Sequence, residues 1–335
     1  MFKILLLKGE RNDATEHYVN IIKIALEEMD QTVNIIDSLS DIKSMDKVIT
    51  ITPKAFFYVF IKNRKQFIIH WFQGITPEEA LMHRRFDAIS NFRYCYLTFI
   101  EFLITKFSKF NFFVSKSMHE HYRKKYLYNN QNFIIMPCFN QSMNDGAFYE
   151  SKYKEPTFVY TGSLSKWQCI DEVLMLFSYI QEHIPSAKIY IYTSEKDRAK
   201  ELLSKYNISS NFEIDYVNYK YLNSKLKDIK YGFLIRENID VNNVATPTKM
   251  NAYLANGIIP IFSNVIDDFK INLTGGRYLI SGSNNNELKE KILLMENEKV
   301  SADELREEYS KIFGDYYNQS KYINNIKNEI KRYLT

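Results

Sequence analysis

Two basic residues frame a polar loop in the second half of the chain. Arg236 ends the apolar run that begins at Gly232, and Lys249 follows the helix-start signal Thr246-Pro247-Thr248. Thr246 is a natural N-cap and Pro247 suits the first helical position, so a helix is predicted from that point. Thr248 and Lys249 then lie in its first turn, where the helix dipole disfavours a cation. A lysine there makes sense beside a bound anion. Arg236 can meet the same anion, and paired cations with backbone donors suit a leaving diphosphate. A solvated lysine and a salt-bridged arginine give the same pattern.

Two more segments carry candidate chemistry. In Tyr160-Thr-Gly-Ser-Leu-Ser-Lys-Trp-Gln-Cys-Ile-Asp171, a strand runs into Gly162 and a helix begins near Gln168. Gly162 can bring backbone N–H groups close to an anion, Ser163 and Ser165 offer hydroxyls, and Lys166 offers charge. Glycine turns after strands are common, so this cradle is weak evidence alone. In Phe67-Ile-Ile-His-Trp-Phe-Gln-Gly-Ile-Thr-Pro-Glu-Glu79, a buried strand leads through His70 and Gln73 to Gly74, and Thr76-Pro77 opens a helix. His70, Gln73, Gly74 and Glu78 are candidates for holding an acceptor hydroxyl, with Glu79 as an alternative carboxylate. Acids in a first helical turn are also explained by capping alone.

The elements that position these residues alternate between short apolar runs and helical segments, as in βα units with a parallel sheet. One alternation covers residues 1–140. The pattern lapses over 141–156, read as a linker, and a second alternation runs over 157–317. Residues 318–335 are read as a helix returning to the N-terminal domain. The expected fold class is α/β, with two Rossmann-like, doubly wound domains facing across a cleft. Ligands of such folds sit beyond the carboxyl ends of the strands.

The strand-Gly-Ser-Leu turn, the strand-end Arg236, the Pro-Thr-Lys helix start and the run Tyr253-Leu-Ala-Asn-Gly-Ile-Ile-Pro-Ile261 occur in that order. Together they resemble the donor domain of GT-B glycosyltransferases of the group 1 (GT4-like) family, of the bacterial capsule and lipopolysaccharide type. The likeness is specific over residues 157–265 and architectural before them. It implies a nucleotide-diphosphate sugar as donor, UDP rather than GDP, and a glycan or lipid-linked acceptor. It also implies retention of anomeric configuration, with neither metal nor other cofactor.

By this resemblance Arg236 and Lys249 neutralise the diphosphate, and Gly162 and Ser163 approach the phosphates or sugar. Lys166 is matched loosely, and Asn218 and Tyr219 lie beside the nucleobase. Asn243, Thr246 and Thr248 complete the donor set. One departure stands out. The family carries two glutamates where this chain has Val244 and Ala252, and the nearest polar residues are Asn243 and Asn251. A non-catalytic relative that binds nucleotide and assists another transferase is therefore the competing reading. A nucleotide-sugar epimerase would need acids that the sequence does not place.

Composition excludes other classes. The chain has 335 residues, 45% hydrophobic and 25% charged, with net charge +4. That charge is too small to argue for nucleic acid. Between Met82 and Lys125, however, nine Lys or Arg, among them Arg84 and Arg85, outnumber three acids and interleave with aromatics. Residues 82–125 are thus a candidate for peripheral membrane contact, although a core-facing helix pair with a basic outer face fits as well. Three scattered cysteines give neither a disulfide framework nor a zinc site. His119 and His121 do not share a helix face. The apolar start is too short for a signal segment and no run is long enough for a span, so a cytoplasmic location, at the inner membrane face, is expected.

Overall fold

The computed structural model describes residues 1–82, 88–273 and 275–333. The chain divides into two compact units. The first holds residues 1–140, Asn243–Thr246 and the chain from Asn318 onward, and the second holds Gln141–Asn242 and Pro247–Tyr317.

The first unit runs β1 (Phe2–Leu5), α1 (Asp13–Glu27), β2 (Val33–Ile36), β3 (Lys47–Thr50), α2 (Pro53–Lys62), β4 (Phe67–Phe72), α3 (Thr76–Met82), α4 (Ala88–Phe107), β5 (Phe110–Phe113), α5 (Lys116–Tyr126) and β6 (Phe133–Ile135). Its six strands are parallel, in the order β2-β1-β3-β4-β5-β6. Strand β5, FNFF, is buried throughout, as expected where helices cover both faces of a sheet. Helix starts are fixed by side-chain caps: Asn12 accepts from Thr15 N, Thr52 from Ala55 N and Ser115 from Met118 N.

Glu101, on α4 and fully buried, ties the helices of this unit together. It accepts hydrogen bonds from Tyr122 Oη (2.6 Å), Tyr126 Oη (2.8 Å) and Thr76 N (3.1 Å). The Tyr122 hydroxyl also lies 3.1 Å from Gly74 O, which brings the turn after β4 against α5. Burial raises the Glu101 pKa to about 7, against the lowering pull of the two tyrosines and Lys125. A carboxyl raised by folding contributes stability that is fully present below its unfolded pKa and lost as pH rises through about 7. Urea unfolding should therefore show stability declining from mildly acid to neutral pH, by up to roughly 3 kcal/mol from this group. Glu101→Gln should flatten that slope; an unchanged slope would assign it elsewhere.

The second unit runs β7 (Thr157–Thr161), α6 (Ile170–His183), β8 (Lys188–Tyr192), α7 (Lys196–Lys205), β9 (Phe212–Asp215), α8 (Tyr219–Leu226), β10 (Tyr231–Leu234), α9 (Asp240–Asn243), α10 (Thr248–Ala255), β11 (Ile259–Ser263), α11 (Asp267–Asn272), β12 (Ile280–Gly282), α12 (Asn285–Glu296) and α13 (Ala302–Asp315). The strand order is β12-β11-β10-β7-β8-β9, all parallel. With β7 first in sequence and central in the sheet, this is the doubly wound order, and its switch point lies between β7 and β10. Last comes α14 (Gln319–Ile330), which belongs to the first unit and packs on α1, with Lys327 Nζ 2.8 Å from Glu28.

Two boundaries differ from the sequence reading. The stretch 141–156 is no free linker but part of the second unit, wrapped on the end of α10. Buried Lys152 donates to Ala147 O (3.1 Å) and Asn256 O, and Tyr153 donates to Gly257 O (2.9 Å). Gly257 takes φ +61°, and any side chain there would meet Tyr153 and Ala147 at 3.0–3.1 Å. Conversely, 243–246 belong to the first unit, where Ser115 Oγ donates to Val244 O (2.6 Å) and Ser117 Oγ to Asn243 O (3.2 Å).

Candidate active site

The strand ends of the second unit bring the predicted cations together at its switch point. Gly162 follows β7 with φ +123°, a conformation that L side chains rarely adopt, and its N–H donates to Tyr192 O at 2.9 Å. A side chain at 162 would also meet Lys249 Nζ at 3.3 Å. Lys249, in the first turn of α10, lies 4.7 Å from the centre of the Tyr160 ring and donates to Gln168 Oε1 at 2.9 Å. Burial, and then the nearby Arg236 charge, hold its pKa well below the usual lysine range.

Arg236 extends β10 and is clamped through its backbone. Its N–H donates to Ser263 Oγ (2.7 Å), and that hydroxyl donates back to Arg236 O (2.9 Å). The guanidinium is buried and donates to Ile235 O at 3.1 Å. Neither Arg236 nor Lys249 forms a salt bridge with any described residue. Two neighbouring, desolvated cations without a carboxylate leave charge and donors unspent, and such a site favours an anion. Beside them a cavity of 750 Å³ is walled by Arg236, Lys166, Glu237, Arg198 and the β12–α12 turn at Ser283–Asn285.

Other predicted donor residues are placed differently. The Thr246 hydroxyl does not cap α10: it accepts from Cys138 N (3.0 Å), and Pro247 stands at the cap with no side-chain bond. Asn243 lies in the first unit together with Thr246. Thr248 begins α10 beside Lys249. Ser163 Oγ is within 3.0 Å of Ser165 Oγ, and Lys166 is exposed on a single 3₁₀ turn. The Asn218 side chain caps α8 by accepting from Lys220 N at 3.0 Å, and the exposed Tyr219 follows it; neither lines the cavity. Val244 and Ala252 are buried, so neither position offers a polar group. Asn251 does not replace a glutamate, because its amide pairs with both the N–H and the carbonyl of Gln141, at 2.8 and 3.1 Å.

The first unit holds a smaller cavity of 440 Å³ beyond the carboxyl ends of β3 and β4, lined by Thr52, His70, Gln73, Gly74, Thr76 and Glu79 among others. His70 is buried, with Nδ1 2.8 Å from Thr50 Oγ1, and burial lowers its pKa to about 3, so the ring is neutral. Glu78 points elsewhere: it accepts from Lys125 Nζ at 2.6 Å and lies 3.6 Å from His121 Nε2. Glu79 is the carboxylate that faces the cavity. It folds back over Gly74, where a Cβ would lie 1.9 Å from Glu79 Oε1, and burial raises its pKa. The sequence signal for this was a glycine five residues before a second acid. Gln168 and Tyr160, the neutral partners of Lys249, carried no such signal. Among the described residues no three His, Cys, Asp or Glu side chains gather as metal ligands would.

Solved structures share this arrangement of two parallel sheets. Staphylococcus aureus TarM, crystallised with fondaparinux, α-GlcNAc-glycerol and UDP, superposes with TM-score 0.62 at 16% identity, over 84% of this chain and 55% of TarM. The pneumococcal O-GlcNAc transferase GtfA, with UDP and GlcNAc, gives 0.63 at 13% identity, over 88% of this chain and 58% of GtfA. WaaG, a glycosyltransferase involved in lipopolysaccharide biosynthesis, gives 0.63 at 10% identity, over 97% of this chain and 99% of its own. The chain has the GT-B fold. It spans a little over half the length of TarM and GtfA and nearly all of WaaG. No protein-family model and no curated protein matches the sequence. In GT-B terms, the Gly162 turn and the start of α10 belong to the C-terminal sheet, and the His70–Glu79 segment to the N-terminal one.

Proposed function

We propose that the chain is a retaining, metal-independent glycosyltransferase that moves a sugar from a UDP-sugar to a hydroxyl of a cell-surface glycan or lipid-linked acceptor. The observation that carries the reading is the pair Arg236 and Lys249, adjacent, largely desolvated and, among the described residues, free of carboxylate partners at a sheet switch point. A diphosphate placed there receives two charge-assisted donors, which strengthen as negative charge grows on the leaving group. In this reading the leaving phosphate takes the acceptor proton. The acceptor hydroxyl is held in the N-terminal cavity by His70, Gln73 and Glu79. Contact of residues 82–125 with the inner membrane face would place the enzyme beside a lipid-linked acceptor; of that stretch, residues 83–87, with Arg84, Arg85 and Asp87, lie outside the described residues.

One observation favours a second reading. With Val244 and Ala252 where the family has glutamates, and Asn251 consumed by Gln141, no carboxylate on α10 accepts hydrogen bonds from ribose or sugar hydroxyls. A nucleotide-binding partner of another transferase fits that loss. Calorimetric titration with UDP, GDP, CMP and their common sugar conjugates, followed by assay of UDP release, separates the readings. Binding of UDP and its conjugates with release of UDP supports the enzyme, binding without release supports the partner, and no binding of any nucleotide refutes both.

A further inference from the structure

Helix α4 buries one face and presents a second that is nearly as apolar. Its inward arc carries Ile100, Glu101, Ile104 and Thr105. Its outward arc carries Ile89, Phe92, Tyr96, Phe99 and Phe107, with Phe92 75% and Phe99 56% exposed. The spacing 89, 92, 96, 99 places these side chains on one stripe. A surface helix normally turns charge outward, and one apolar on both faces needs a second apolar neighbour. No acid lies on the outward arc, since Glu101 points into the core.

Helix α2 extends the same face. It packs on α4 through Phe57 against Tyr96 (6.1 Å between ring centres) and Phe60 against Phe107 (4.7 Å), and adds the exposed Tyr58 and Ile61. Around this apolar strip stand Lys54, Lys62, Arg64, Lys65, Arg93 and Lys106, all exposed. None of the six forms a salt bridge with a described residue, and together they exceed the net charge of +4 of the whole chain. Within residues 82–125, by contrast, two of the cations of α5 are neutralised locally, Arg123 by Glu120 (2.7 Å) and Lys125 by Glu78 (2.6 Å). The basic aromatic surface therefore lies on α2 and α4 rather than on α5.

We propose that the α2–α4 face docks on a membrane leaflet that contains anionic phospholipid, with Phe92 and Phe99 entering the headgroup–acyl boundary. A leaflet supplies both things this face lacks, an apolar layer and a border of negative charge. Lysine and arginine stems lie along apolar surface while their charges reach phosphate. A second copy of the chain is the poorer occupant, because a two-fold contact through this face sets six cations against six. Among the described residues no helix is long and apolar enough to cross a membrane, so the contact is interfacial. The proposal deepens the membrane part of the functional reading but does not depend on nucleotide binding.

The test is flotation of the full chain with phosphatidylcholine vesicles, with and without phosphatidylglycerol, at low and high salt. Binding is expected only where phosphatidylglycerol is present, and weaker in salt. Phe92→Ser/Phe99→Ser should lower vesicle affinity about tenfold or more. Arg64→Glu/Lys65→Glu should lower it about tenfold or more and reduce the salt dependence. All these side chains are exposed, so melting temperature and UDP titration should match the parent protein. No vesicle binding, or equal binding by parent and variants, overturns the proposal. So does a dimer in sedimentation that the Phe92→Ser/Phe99→Ser change dissociates, or phosphatidylglycerol-independent capture by an acidic protein through the same residues. Vesicle binding without any nucleotide binding would leave the docking face standing and remove the transferase reading.

Discussion

Lys249→Met should remove most of the affinity for UDP and at the same time raise the melting temperature of the empty protein. The two effects have one cause. In the free protein the Lys249 ammonium is largely desolvated, its partners among the described residues are neutral, Gln168 Oε1 at 2.9 Å and the Tyr160 ring at 4.7 Å, and Arg236 repels it. An apolar side chain of similar length loses that desolvation cost, so stability should rise by about 1 kcal/mol, or a few degrees. A bound diphosphate reverses the balance. Its loss of one charged hydrogen bond should weaken UDP by about 1.5–3 kcal/mol, roughly 10- to 150-fold in Kd. A pH signature follows. The diphosphate raises a lysine pKa that burial and Arg236 had lowered, so the complex holds the proton more tightly than the free protein. UDP affinity should then fall as pH rises through the lowered pKa of the free protein, and Lys249→Met should lack that fall. Calorimetry and thermal denaturation across pH read all three effects. A variant that binds UDP normally, or that melts lower without binding change, would show that Lys249 serves packing alone.

What could be read from the sequence was what depends on local pattern. The strands and helices of both sheets are bounded by continuous apolar runs and by caps such as Thr52-Pro53, and those signals lie within a few residues of the elements they define. Gly162, Arg236 and Lys249 were legible for the same reason, as each sits at the end of a strand or the start of a helix. What failed depended on partners distant in sequence. Thr246 has the chemistry of an N-cap, but Cys138 N takes its hydroxyl. Asn251 could have stood in for a glutamate, but Gln141 occupies its amide from both sides. The lapse of hydrophobic periodicity over 141–156 hid the packing of Lys152 and Tyr153 around the end of α10. The charge run over 82–125 did not show that Arg123 and Lys125 of α5 pair with Glu120 and Glu78, or that exposed cations of α2 stand beside α4.

The pair Glu78 and Glu79 shows the same limit and yields the second large effect. Both acids occupy the first turn of α3, where either is favoured, and only tertiary structure separates them. Glu78 is committed to Lys125 at 2.6 Å. Glu79 accepts no hydrogen bond from any described side chain, only the backbone N–H of Ile75, and faces a cavity also lined by Gln73 and neutral His70. A carboxylate beside an amide suits vicinal sugar hydroxyls, which donate to the acid and accept from the amide. Glu79→Gln should therefore reduce transfer to acceptor by about 10- to 150-fold, the scale of a lost charged hydrogen bond, without altering UDP affinity or donor hydrolysis. Glu78→Gln should leave transfer within about twofold and act on stability instead. Gly74→Ala separates position from charge. The added methyl would lie 1.9 Å from Glu79 Oε1, the far end of a flexible side chain held by the Ile75 N–H, so the carboxylate must move while the backbone need not. Transfer should fall as in Glu79→Gln with folding stability nearly unchanged, and initial rates against acceptor concentration measure it. Equal loss in Glu78→Gln and Glu79→Gln would assign the effect to the start of α3 as a whole, because only a specific carboxylate in the cavity distinguishes neighbouring acids on one turn.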